Sequence, residues 1–448
     1  MNILALTNLF PPHHADSDDF RCQNTVEALR ARGHMVRVLT STVGMVNAGH
    51  TAVEMRRDGH DALVQRRLRL NGVYGQPAVS GVSDLRELEA RNNEMLREAM
   101  RVFAPDVVQV RSLHGLSKSL LLTLRRTRVP VCFDVADPWL AEELRTDPWL
   151  AWWHSEKLST LQKMQRTGLE VSGQRLKWDA VTPTFIEANT PRLPQIFDAQ
   201  PDSRFKPNSI TALPFRRLYF SSAALHTATA EAGFRVAHGE VIHPGVDTRL
   251  FHGEVKPPGS QPIKKFLIVA RLTPHCGVGT ALEALQLVRA QGAKATLTIC
   301  GRGNSEVQAR LRTQAAQRNI SVEFRPGGTQ RELPLIYQSH DAFIYPVERE
   351  ESWVGAPLEA MAAGLPVIMN DDHGARELFQ SSDSYLSFPS GDAGLLANRM
   401  LELIREPQLA HDTAAIGQNE ILSRFQFSTT VEQIDRYLDD TVAQWNEG

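Results

Sequence analysis

Two glutamates lie eight positions apart in the stretch Glu351-Ser-Trp-Val-Gly-Ala-Pro-Leu-Glu359. An apolar run, Ala342–Tyr345, comes before them and a run of small residues follows. That order reads as a buried strand, a loop and a helix start. The free N–H groups and positive dipole end of a helix attract anions, so Gly355, Ala356, Pro357 and Leu358 would cradle phosphate. Glu359, expected in the first turn, would accept hydrogen bonds from vicinal hydroxyls such as those of a ribose. Glu351 would face a cleft from the loop and hold sugar hydroxyls or a developing cation. An acidic helix start favoured by the dipole explains one glutamate but not the string.

Two more segments carry similar chemistry. Arg271 follows the apolar run Phe266–Ala270 and precedes a loop with Gly277 and Gly279. A cation at the carboxyl end of a strand, beside a helix start, suits a diphosphate; a plain surface arginine is the alternative. Gly301-Arg302-Gly303 follows Ala295–Cys300, where glycines let a ligand approach the backbone or simply make a tight turn.

Positioning such groups takes alternating strands and helices. In the first half, Ile3–Leu9, Met35–Ser41, Val107–Arg111, Val129–Val135, Ala180–Thr182 and Leu218–Ser221 read as buried strands. Gln23–Arg32 and Asp84–Phe103 read as helices. In the second half the strands are Phe266–Ala270, Ala295–Cys300, Ser321–Phe324, Ala342–Tyr345 and Pro366–Met369. Its helices are Val278–Gln291, Glu306–Arg318, Arg331–Gln338, Ala356–Ala363 and Asp392–Arg405, with Ser305 and Gln308 as a capping pair. The alternation implies two parallel, doubly wound α/β domains. The Pro- and Gly-rich stretch His252–Pro262 reads as the break between them. The tail Thr429–Trp445 is amphipathic.

The 448 residues exceed one ordinary domain. A formal charge of −2 gives no field for nucleic acid, which is not expected as a partner. Cys22, Cys132, Cys276 and Cys300 show no metal or CxxC spacing, which suits a reducing, cytoplasmic setting. The N-terminus lacks signal-peptide character, and no run of ~18 apolar residues suggests a membrane span.

The motifs together resemble the E-x7-E signature of retaining GT-B glycosyltransferases in the large family 4 group. Val241-Ile-His-Pro-Gly-Val-Asp247 with Phe251 resembles that family's entry into the donor domain. Phe266–Leu272 resembles its "GRL" strand, and Leu297–Gly303 its glycine turn. The resemblance implies two Rossmann-like domains facing across a cleft. Residues 1–240 would bind the acceptor, joined by a returning helix 425–446. Residues 241–424 would bind a nucleotide-sugar donor. The implied reaction moves a sugar to an acceptor hydroxyl with retention, without metal or cofactor. Arg271 would hold the diphosphate, Glu351 the sugar and Glu359 the ribose, with Arg325–Gly328, Gly327 included, near the base.

The chain also departs from that family's pattern. Cys276 stands at the donor-side position where the family has lysine, and a neutral thiol lacks that charge. Where the family has paired glycines, the chain has Asp16-Ser17, followed by Asp18 and Asp19; these would repel a phosphate or contact a cationic acceptor. Arg111 occupies the usual place of a histidine, and His114 follows as a polar partner for either sugar or as a turn residue. Asp137, beside Trp139, would contact the acceptor. Asp371-Asp372-His373 reads as loop chemistry rather than metal ligation. The departures leave room for a second reading, a scaffold or regulatory relative without turnover. A nucleotide-sugar epimerase is a third. The acceptor is a glycan, a lipid-linked sugar or a small molecule. The apolar-then-basic run Leu121–Arg128 raises peripheral membrane contact, against the alternative of a solvated helix end.

Overall fold

The structure is a computed structural model. It describes residues 1–13, 17–43, 63–79, 82–117, 119–125, 127–140, 158–171, 215–231, 234, 236–301, 303, 305–327, 332–348, 355–370, 377–379 and 381–447. The chain divides into two units, Met1–Ile242 with Val431–Gly448, and His243–Thr430.

The first unit runs β1 (Asn2–Leu6), α1 (Ser17–Ala31), β2 (Met35–Ser41), β3 (Val64–Leu68), α2 (Val82–Phe103) and β4 (Val107–Val110). It continues with α3 (Ser119–Arg125), β5 (Val131–Val135), α4 (Thr160–Val171), β6 (Leu218–Phe220), α5 (Ala223–Glu231) and β7 (Glu240–Val241). Its sheet is parallel, in the order β3-β2-β1-β4-β5-β6-β7. The central strands are buried along nearly their whole length, and β4 and β5 bury Gln109 and Asp134 among their apolar residues. The order in which strands are added reverses between β1 and β4, which makes a switch point, where such sheets open a crevice at their carboxyl ends.

The second unit repeats the plan with β8 (Lys265–Val269), α6 (Val278–Ala290), β9 (Thr296–Cys300), α7 (Ser305–Gln317), β10 (Val322–Arg325) and α8 (Leu333–Gln338). Then come β11 (Ala342–Tyr345), α9 (Gly355–Ala362), β12 (Val367–Asn370), β13 (Leu386–Phe388), α10 (Ala393–Arg405) and α11 (Pro407–Arg424). The order is β10-β9-β8-β11-β12-β13, all parallel, with the switch between β8 and β11. The last helix, α12 (Phe427–Glu447), ends in the first unit. There Asp435 takes Arg32 at 3.1 Å and His34 at 2.8 Å, and Tyr437 donates its hydroxyl to Leu218 O at 2.8 Å.

Several expectations are corrected. Helix α1 starts at Ser17, well before Gln23, and Asp19 suits the positive end of a helix. Strand β3 reads VQRRL, and its arginines hid it; charged residues suit its place at the sheet edge. Ser305 is the first helical residue rather than a cap, and Gln308 Nε2 donates to Gly303 O at 3.3 Å. The stretch 252–262 is no linker but a strap inside the second unit. Lys256 Nζ donates to Asp341 Oδ1 at 2.7 Å, and His411 Nδ1 lies 3.0 Å from Lys256 O. Ala180–Thr182 lies outside the described residues.

Candidate functional site

The candidate site is built in the second unit, at the carboxyl ends of β8 and its neighbours. Arg271 follows β8 and is exposed there. The loop after it turns at Gly277, whose φ of 65° favours glycine and which caps α6. A Cβ on Gly277 would stand 1.6 Å from Pro346 O. The loops after β8 and β11 are therefore in direct contact. Glu348 N donates to His275 O at 3.0 Å, and Thr280 Oγ1 donates to Glu348 Oε1 at 2.8 Å.

Gly301 and Gly303 serve backbone packing. Their Cβ atoms would meet Ala270 O at 2.0 Å and Leu272 O at 2.1 Å, so the chain after β9 presses against the backbone on either side of Arg271. Cys276 is not a ligand group. Its side chain is buried in the core with Val278, Ala281 and Leu282, and burial pushes its thiol pKa up. A neutral, buried thiol has no face to offer a diphosphate. Arg325 ends the edge strand β10 and pairs with Glu323, Nε to Oε1 at 2.6 Å. Gly327 follows it half-buried.

Helix α9 starts at Gly355, one residue earlier than the sequence suggests. Pro357 has no N–H and is buried, so it cannot bind phosphate through its backbone. Gly355, Ala356 and Leu358 retain N–H groups in the first turn; the Leu358 side chain is core. Glu359 falls in the second turn. Its side chain is half-buried, yet its carboxyl lies deep, and burial pushes its pKa up to about 7. The hydrogen bond from Tyr337 works against that rise, with the phenol donating to Glu359 Oε2 at 2.9 Å.

Tyr337 was not legible as a site residue. It is fully buried on the short helix α8, edge-on to Phe251 with ring centres 5.9 Å apart. The only signal in the sequence is generic: a buried phenol needs a partner for its hydroxyl. Asn370, at the end of β12, is also buried; its Nδ2 donates to Val347 O, while its Oδ1 finds no partner among the described residues. Glu351, Gly328 and Asp371-Asp372-His373 lie outside the described residues. A cavity of about 230 Å³ in this unit lies at the amino ends of the strands, under the strap and beside Lys256 and Asp341. It is remote from these groups.

In the first unit, Asp16 lies outside the described residues and Ser17 is the first residue of α1. Arg111 is a correction: it is 1% exposed, and its Nη2 stands 2.9 Å from Asp134 Oδ2. Arg21 Nη2 donates to the other oxygen, Asp134 Oδ1, at 2.8 Å. Burial opposes ionisation of Asp134, but Arg111 and then Arg21 outweigh it and hold the carboxyl below its usual range. Arg111 thus braces β4 against β5 and is closed to an acceptor. His114 is half-buried with its ring edge-on to Tyr74, centres 5.4 Å apart. Asp137 Oδ1 accepts from Trp139 N at 3.0 Å, closing a turn after β5. On α3, Leu120, Leu121 and Leu124 sit in the core, so these three are not open to a membrane. Among the described residues, no helix is long and apolar enough to cross one.

Two parallel sheets of this order, each with its switch point and crevice edge, define the GT-B architecture. Residues 256–420 match the family model described as glycosyl transferases group 1, and residues 20–160 match the glycosyl transferase 4-like domain. The chain belongs to the GT-B glycosyltransferases of that group. It is 33% identical over 173 residues to the amylovoran biosynthesis glycosyltransferase AmsK of Erwinia amylovora. That match takes in 36% of this chain and 41% of the relative, so the chain spans less than half the relative's length. Among solved structures, sucrose-phosphate synthase from Thermosynechococcus elongatus superposes with a TM-score of 0.68 at 15% identity, over 99% of each chain. Anabaena HepE in complex with UDP and glucose gives 0.62 at 17% identity, over 98% of this chain and 100% of HepE.

Proposed function

We propose that this protein transfers a sugar from a nucleoside-diphosphate donor to an acceptor hydroxyl with retention at the anomeric carbon, without a metal. The unit His243–Thr430 binds the donor, and the unit Met1–Ile242 with Val431–Gly448 binds the acceptor. Arg271 and the N–H groups of Gly355, Ala356 and Leu358 offset charge growing on the departing diphosphate. Glu359 receives the ribose hydroxyls and Glu351 the hexose. The bond from the anomeric carbon to the diphosphate oxygen breaks as the acceptor oxygen bonds to that carbon on the same face. The acceptor proton passes to the leaving phosphate oxygen. AmsK is named for amylovoran biosynthesis, and by likeness the product here is a glycan. The acceptor binds near His114 and Asp137.

The observation that carries this reading is the pairing at the second switch point. Arg271 follows β8, and the helix bearing Glu359 follows β11, which is hydrogen-bonded to β8. The test is release of nucleoside diphosphate from a panel of nucleotide sugars, with product anomers read by NMR in the presence of chelator. Turnover with retained configuration, lost in Arg271→Ala and Glu351→Ala, is expected. Inverted product would refute retention, and dependence on added metal would refute the metal-free mechanism. The buried Cys276 favours a second reading, a relative that binds a donor without turning it over. Donor binding with no release on any acceptor would select it.

A further inference from the structure

The hydroxyl of Tyr337 has one proton and two acceptors within reach, Glu359 Oε2 at 2.9 Å and Ala356 O at 3.3 Å. Both acceptors are on α9, and the phenol reaches them from α8. The ring cannot swing away. It is fully buried, held by Phe251 and by Phe343, whose ring centre is 5.7 Å away.

The titratable groups facing this pair are few. Glu359 meets Tyr337. The phenol in turn meets Glu359, Cys300 at the end of β9 and Tyr345 on β11. Burial, then Glu359, pushes the Tyr337 pKa far up, so the phenol keeps its proton. The group that titrates near neutrality is Glu359. When ionised, it accepts from the phenol on Oε2. Once it takes a proton from solvent, its O–H can donate to the phenol oxygen, and the phenol's own proton is then best placed towards Ala356 O.

We propose that Tyr337 is a positioning residue for the donor ribose: its phenol fixes the Glu359 carboxylate to receive two vicinal hydroxyls and transfers its hydrogen bond to Ala356 O when that carboxylate is protonated. The inference rests on the reading of the second unit as the donor-binding one. It adds a determinant on α8, a different helix from the one that bears Glu359. A carboxylate pinned through one oxygen has its other oxygen free to meet the sugar hydroxyls. An unpinned one loses that orientation.

The test uses the full-length protein, titrated calorimetrically with UDP and GDP and with their 2′,3′-dideoxy forms between pH 5.5 and 8.5. Ionisation of the β-phosphate affects both forms alike, so their ratio isolates the ribose contacts. In the wild type, affinity for the ribonucleotide should fall about tenfold relative to the dideoxy form as pH drops through 7. Tyr337→Phe removes the hydrogen bond that favours the anion and should raise the midpoint of that fall by on the order of one pH unit. Glu359→Gln should abolish it. If the wild-type ratio does not change with pH, or Tyr337→Phe leaves the midpoint in place, the proposal is overturned. If neither UDP nor GDP binds, or Arg271→Ala and Glu359→Gln both leave affinity unchanged, the donor reading fails and takes the proposal with it. The wild-type comparison holds even if Tyr337→Phe does not fold.

Discussion

Holding Glu359 in place should destabilise the second unit by an amount that depends on pH. Its carboxyl is pushed from 4.5 to about 7 in the folded state, so the fold binds its proton more tightly than the unfolded chain does. Stability from this group is therefore greatest below pH 4.5 and is lost as pH rises through 7. At about 1.36 kcal/mol for each tenfold change in proton affinity, the ionised carboxylate costs about 3 kcal/mol at pH 8. At pH 5.5 roughly half of that remains. Glu359→Gln keeps the shape and an acceptor for Tyr337 but cannot ionise. The variant should be more stable than the wild type, and the gap should widen by about 2 kcal/mol between pH 5.5 and pH 8. For a unit of this size that is about 4–8 °C of melting temperature. Differential scanning calorimetry at both pH values measures it; other groups titrate equally in both proteins and cancel. A gap that stays constant with pH would refute a buried, ionising Glu359. A variant less stable than the wild type at pH 8 would mean that the carboxylate is paired favourably.

Gly277→Ala adds a Cβ at 1.6 Å from Pro346 O in a left-handed backbone, and should lower the stability of the second unit by more than about 2 kcal/mol in urea unfolding. Asp134→Ala leaves two buried guanidiniums without their anion and should cost about 3–5 kcal/mol, whereas Arg111→Met, which leaves Arg21 paired, should cost much less. Equal losses in chemical denaturation would refute the shared-anion arrangement. Cys22, Cys132, Cys276 and Cys300 are all buried, with Cys132 and Cys276 pushed towards the neutral thiol. None should react with a chromogenic disulfide until denaturant is added.

The buried strands were legible because an apolar run such as Phe266–Val269 has few other places to go. The polar or brief elements were not. Strand β3 carries Arg66 and Arg67, and β7 and β13 are too short for any periodicity. Helix α11 is packed on several sides, and Gly417 stands 2.9 Å, through a built Cβ, from Ser384 O; no single apolar stripe marks it. In the candidate site, Arg271 and Glu359 stood out in the sequence by charge, one after a strand and one in the helix after β11, where the structure puts it a turn later than expected. Tyr337 did not, because its significance lies in a contact between two helices that only the fold creates. Arg111 misled for the opposite reason. A charge after a strand suggests a ligand, and the sequence has no way of displaying that Asp134 already satisfies it from the next strand.

The strap held by Lys256 and Asp341 has a practical consequence. It crosses the ends of the strands farthest from Arg271 and Glu359, and Ser260 on it is exposed. Since every native thiol is shielded, a Ser260→Cys variant would present a single reactive handle on the rear of the second unit. A fluorophore placed there would follow that lobe alone through unfolding while its reactive rim stays undecorated.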